Sequence, residues 1–273
     1  MRKILPLILL ISFVSLFLAG TVLAANAELI EPFVTNVANG GVINLGTIGP
    51  GQTIDIVVNG IAIGERGEGR WQILRVVNLP PGWQGFDSKE LATRMKAGLK
   101  AANNANEGEY KIGFRLEEDP NHQMGLGSVD FQVALTVSRN VVSATFPKQM
   151  VDTGVGQPAR YSIIIKSKSA ANDIFEISAE NVSSWEYRKA VHVPAGGTVT
   201  TFYEIVANEE KEYNPVIVIK SQSSDDIKIS QVLKLAVKSD VVGDIKATKN
   251  GVLIFPIVLE PLYSLLGIIG SFI

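Results

Sequence analysis

The 273-residue chain contains no cysteine. Disulfide staples, thiol nucleophiles and cysteine-based zinc sites are therefore excluded, and any domain in it must fold on core burial alone. Histidine occurs only as His122 and His192, and neither lies in a metal-binding spacing such as HExxH. There is no basic stripe, and the formal net charge is −2, so nucleic acid is not an expected partner. There is also no G-x-S-x-G nucleophile elbow, and the glycine-rich stretch 60–69 lacks Walker or Rossmann spacing; it reads as a hairpin loop. The acidic groups 117–119 and 225–226 lack the spacing of a calcium loop and read as solvated turn charges. No metal, cofactor or catalytic residue is expected, and the chain does not read as an enzyme.

What is present begins and ends apolar. Arg2 and Lys3 precede an apolar run over 4–18, followed by the small-residue stretch "LAANAE". That order is the pattern of a secretory signal peptide, here 1–27, with cleavage after Ala24 or Ala27; an uncleaved N-terminal anchor is the alternative. At the other end, 251–273 is apolar except for Glu260, and 241–250 is a polar linker. The 23 residues of the tail would reach roughly 35 Å as a helix, enough to cross a bilayer core. Pro256 and Pro261 interrupt such a helix, and no basic residue follows it. Three readings follow: a spanning anchor with Glu260 protonated or paired to another membrane protein, a re-entrant or interfacial hairpin bent at Glu260-Pro261, or an apolar segment that docks on a partner or self-assembles. Each holds the protein at the outer face of the cytoplasmic membrane.

Between the ends the pattern is β. Runs such as 52–58, 130–137, 160–167, 201–206 and 215–221 are rich in alternating, β-branched and aromatic residues. Gly, Pro and Asn clusters separate them. The segment 88–105 holds good helix formers, yet Leu91, Thr93, Met95, Ala97 and Leu99 recur at period two, so it reads as a strand. The chain also repeats itself. Gly51-Gln52 and Gly156-Gln157, Trp83 and Trp185, Tyr110 and Tyr213, and the strands closing at 140 and 240 recur at offsets of 105, 102, 103 and 100 residues. Two tandem Ig-like β-sandwiches are expected, over 28–139 and 140–240. Trp83 and Trp185 should plug the ends of their sandwiches, with ligand stacking as the alternative role of these aromatics and of Tyr110 and Tyr213. Tyr110 and Tyr213 should bury their rings while the hydroxyls reach backbone groups.

The stretch "VVNLPPGW", an alternating strand and "ANNANEGEYKIGFRL" resemble the NEW3-type Ig-like domains of archaeal and bacterial surface proteins over roughly 70–140. The second copy departs from that pattern, since "NVSSW" lacks Pro-Pro-Gly and Lys211 replaces the glycine before Glu-Tyr. The resemblance implies a small sandwich in an accessory, adhesive or carbohydrate-associated role, with no catalytic residue to carry over. Asn181-Val182-Ser183 is a glycosylation sequon, placing Asn181 on a surface loop. The expected function is a membrane-anchored surface protein in a structural or protein-interaction role; the alternatives are a carbohydrate-binding accessory module and a non-catalytic subunit of a membrane complex.

Overall fold

The computed structural model describes residues 27–238, apart from 65, 89, 92, 93, 183 and 184. The expected signal peptide before Ala27, the linker 241–250, the tail 251–273 and Glu260 lie outside the described residues. No helix of the described residues is long and apolar enough to cross a membrane.

The first sandwich is built from β1 (Ala27–Glu31), β2 (Thr35–Val37), β3 (Val42–Ile48), β4 (Thr53–Gly64), β5 (Gly67–Arg70), β6 (Ile73–Val77), β7 (Gln84–Phe86), β8 (Glu90–Leu91), β9 (Arg94–Lys100), β10 (Gly108–Glu117) and β11 (Val129–Val137). One sheet runs β2-β1-β4-β9-β7, and the other runs β3-β11-β10-β6. β3 lies parallel to β11 at the edge of its sheet, and β11-β10 and β10-β6 are antiparallel. This is the two-sheet order of an Ig-like domain. Of the segment of helix formers, Arg94–Lys100 is one strand and Glu90–Leu91 a separate short strand paired antiparallel to it, so the expected single strand over 88–105 is narrower. Arg94–Lys100 is extended because its period-two face finds a partner. Leu99 lies opposite Ile54 and Ala97 opposite Ile56, and all four side chains are buried. They meet Ile112, Phe114, Leu116, Phe131, Val133 and Leu135 of the facing sheet in one core.

The second sandwich contains β12 (Val142–Thr145), β13 (Met150–Thr153), β14 (Pro158–Ser167), β15 (Asp173–Glu180), β16 (Lys189–Val193), β17 (Thr198–Val206), β18 (Glu212–Tyr213), β19 (Val216–Ser221), β20 (Lys228–Val232) and β21 (Lys234–Val237). Its core gathers Tyr161, Ile163, Ile165, Phe175, Ile177, Tyr203 and Ile219, among others. Strands β18 and β19 face β21 and β20 in one register, broken at Pro215, which has no N–H to give but accepts the Leu233 N–H at 2.9 Å.

The repeat is visible bond by bond. Gly51 and Gly156 take φ of 69° and 72°, values that favour glycine, and their N–H groups donate to the carbonyls of Ala102 and Ala207 at 3.1 and 2.9 Å. Tyr110 lies opposite Leu135 and Tyr213 opposite Leu235. Their hydroxyls donate to the carbonyls four residues back, Asn106 at 3.0 Å and Glu209 at 3.4 Å. These are tyrosine corners, one per sandwich. Asn78 and Asn181 share a left-handed backbone, φ 57° and 63°, ahead of Trp83 and Trp185.

The copies part at one strand. In the first, the strand after Trp83, β7, pairs with β9. In the second, the strand after Trp185, β16, pairs instead with β15 of the opposite sheet. The sheet β12-β14-β17 therefore ends at β17, and among the described residues no strand covers its outer side.

The two sandwiches meet in a buried polar junction. The Gln52 Nε2 donates to Asp173 at 2.7 Å, and the Ser221 and Ser223 hydroxyls donate to the same carboxylate at 2.7 and 2.9 Å. The Ile174 N–H adds a fourth donor at 2.8 Å. Ser169 in turn donates to the Gln52 Oε1 at 2.6 Å. Gln52 and Asp173 are 0% and 5% exposed, so this carboxylate is held out of water by donors rather than by a counter-charge. The backbone approach is close: a Cβ on Gly51 would lie 2.2 Å from the Ser223 carbonyl oxygen. Ala170 donates its N–H to Thr47 at 2.7 Å, and Arg139 pairs with Asp226 at 3.2 Å on the rim.

Candidate functional site: an aromatic recess at the open sheet edge

The strand that changes sheets leaves a recess behind. It has a volume of about 300 Å³ and is lined by Arg160, Trp185, Tyr187, Lys189, Phe202 and Glu204. Arg160 on β14 and Glu204 on β17 are directly opposite in the ladder, 3.7 Å apart. Both point away from the core because Tyr161, Tyr203 and Ile205 occupy the alternate, buried positions. Phe202 shares that outer face, and the Arg160 guanidinium sits 3.8 Å from its ring centroid. Trp185 and Tyr187 form the other wall, ring centroids 6.0 Å apart. Tyr187 also lies 5.8 Å from Tyr203. Tyr187 is 50% and Phe202 40% exposed, which is unusual for rings of this size in neighbouring positions.

Polar groups fix the walls. The Tyr203 hydroxyl donates to the Tyr187 carbonyl, and the Lys189 ammonium donates to the Phe202 carbonyl at 2.7 Å. Burial raises the Tyr203 hydroxyl above the ordinary tyrosine value, and the nearby Trp185 indole and Ala179 backbone act in the opposite sense. The Trp185 N–H is buried without a partner in hydrogen-bonding geometry among the described residues. The recess combines flat apolar rings, two cations and one carboxylate. The rings offer flat apolar faces, and the charges stand at their rim.

The expected landmarks divide. Trp83 is 7% exposed and packs on Tyr110, ring centroids 5.0 Å apart, as an end plug should. Trp185 is half-buried; it packs against the second core and also lines the recess. Asn181 is exposed at the turn before Trp185. His122 lies in a loop of the first sandwich and His192 on β16 of the second. Among the acidic groups, Glu117 pairs with Arg75, Glu118 accepts the N–H groups of Met124 and Leu126, and Asp225 and Asp226 pair with Lys220 and Arg139. No cluster of three or more metal-ligating side chains occurs among the described residues. Sequence reasoning missed Trp71, the largest fully buried side chain, whose indole N–H donates to the Gly127 carbonyl at 2.9 Å. It also missed Tyr187 and Phe202, whose exposure depends on the strand exchange.

No model of a known protein family matches the chain, so the resemblance to NEW3 domains rests on the 70–140 motifs alone. No curated protein matches it either. Among solved structures it is similar to a chimeric titin Z1Z2 carrying a peptide from decorin, at 11% identity over 80% of this chain and 99% of that one, TM-score 0.35. It is similar to the Yersinia pseudotuberculosis adhesin InvE at 14% identity, over 80% of this chain and 61% of that one, TM-score 0.29. It also matches a β-glucosidase from Listeria innocua at 12% identity and TM-score 0.28, where 37% of this chain covers only 16% of the enzyme. Likenesses this distant leave the assignment to the strand order itself: two Ig-like β-sandwiches in tandem.

Proposed function

We propose that this chain is an exported surface protein whose tandem Ig-like sandwiches present a protein-interaction surface, held at the outer face of the cytoplasmic membrane by 251–273. The observation that supports it is the recess at the edge of β17, where Tyr187 and Phe202 stay exposed between Arg160 and Lys189. The buried junction around Asp173 gives that surface a fixed setting relative to the first sandwich. A chain truncated after Lys249 should be secreted in folded form, while the full chain should resist carbonate extraction of membranes. Complete release of the full chain by carbonate overturns the anchor. Glu260→Leu removes a carboxylate that costs about 3 kcal/mol at mid-bilayer. If Glu260 pairs with another membrane subunit, that subunit should be lost from detergent-solubilised preparations of the variant.

The exposed rings also favour a second reading, a carbohydrate-binding accessory module, because flat aromatic faces stack on sugars. Glycan-array binding that disappears in both Tyr187→Ala and Phe202→Ala would decide for it.

A further inference from the structure

We infer that the open edge of β17 accepts an added β-strand from a partner protein, with an aspartate or glutamate side chain of that strand entering the recess between Arg160 and Lys189. This rests on the reading of the chain as a protein-interaction module and specifies its partner.

The edge is open for a structural reason. In the first sandwich β7 covers the outer side of β9, whereas in the second its counterpart β16 has moved to β15. Residues of an antiparallel strand turn both backbone groups to the same side, alternating along the chain. The Phe202 carbonyl faces outward, since Lys189 reaches it, and so the backbone of Thr200 and Glu204 faces outward with it. Among the described residues the Lys189 ammonium is the one group bonded to that outer edge. The strand itself, TVTTFYEIV, carries no Lys, Arg or Pro of the kind that blunts an exposed edge. Its guard comes from a different strand and is held by a single hydrogen bond.

The charges select the occupant. Arg160 has the Phe202 ring beneath it and Glu204 at 3.7 Å, while Lys189 has no carboxylate partner among the described residues. Two cations and one carboxylate therefore line an apolar floor. A carboxylate on the incoming strand draws the Lys189 ammonium off the Phe202 carbonyl into an ion pair, and the vacated carbonyl then accepts an N–H of the new strand. Backbone bonds supply the affinity, and the recess supplies selection of one side chain. An added basic strand would leave three cations together, and an added strand of a second copy would bring its own Lys189 to the same place.

Hydrogen–deuterium exchange on the detergent-solubilised full chain tests this. The probes are eight-residue peptides of alternating Thr and Val, with Asp placed in turn at each position, and matched peptides with Asn or with a central Pro. At least one Asp peptide should slow exchange across 198–206. Its Asn counterpart should bind about tenfold more weakly, and the Pro peptide should not bind. Lys189→Met should still bind but lose the preference for Asp over Asn. No protection of 198–206 by any peptide, or protection indifferent to the carboxylate, overturns the inference. Protection that grows with protein concentration in the absence of peptide overturns it in favour of self-pairing. These outcomes leave the membrane anchor of the proposed function standing, since carbonate extraction of the full chain tests it separately.

Discussion

The side-chain amide of Gln52, in the first sandwich, donates to the carboxylate of Asp173, in the second, across 2.7 Å. Asp173→Ala would strip the acceptor from Gln52, Ser221 and Ser223 at once. We expect a loss of about 2–3 kcal/mol in the second sandwich. The spread of distances between spin labels placed on the two sandwiches should also broaden. An unchanged spread would show that the junction is held by other contacts.

The two tryptophans of the repeat should behave differently. Trp83→Ala empties a buried site and should destabilise the first sandwich by about 3–5 kcal/mol in urea unfolding. Trp185→Ala removes a half-buried wall of the recess and should cost about 1–2 kcal/mol in the second. Equal losses would contradict the difference in burial.

Alkali should weaken the second sandwich through Tyr161. Burial pushes its hydroxyl up to about 12, and the hydroxyl donates to the Lys234 carbonyl at 2.8 Å. The unfolded chain ionises this group near pH 10 while the folded chain does not, so stability holds below pH 10 and falls between about 10 and 12. The expected loss is about 2 kcal/mol. Tyr161→Phe should remove most of that alkaline slope, measured as urea midpoint against pH.

The mature N-terminus should follow Ala24. Ala27 is 0% exposed and pairs with Val37 and Gly60, so a cut after Ala24 keeps it in the first core and a cut after Ala27 removes it. N-terminal sequencing of the exported protein distinguishes the two, and Glu28 as the first residue would defeat the expectation.

The repeat could be read in the sequence because its chemistry is local. A glycine before a strand, a tyrosine at the head of a strand and a tryptophan after a turn are each marked by their immediate neighbours in sequence, and the Tyr110 and Tyr213 hydroxyls bond four positions back. The segment 94–100 was readable as a strand for the same reason, since its alternation marks the buried face whichever strand lies beside it. The choice of neighbour was not readable. β7 and β16 both follow a tryptophan turn, yet one pairs with β9 and the other with β15. Sheet membership of a short strand depends on tertiary packing rather than on its own pattern. The recess depends on that choice, so Tyr187 and Phe202 carried no signal of their own. Gln52 showed itself as a repeat landmark, but its partner lies 121 residues away and is set by how the sandwiches dock.

The parallel pairs of the two sandwiches bear on mechanical load. β13 runs beside β21 from Met150↔Lys234 to Thr153↔Val237, and the Lys238 N–H continues the contact to Thr153 at 3.0 Å. β3 and β11 make the same arrangement in the first sandwich, closed by Ser138 on Ile48 at 3.0 Å. A pull between the two ends of either sandwich acts along such a pair and shears it, so several hydrogen bonds resist together. An antiparallel hairpin opened from its free end would instead yield one bond at a time. A tether at the C-terminal end would thus deliver tension to the strands best placed to resist it, and the junction around Asp173 would pass that tension from one sandwich to the next.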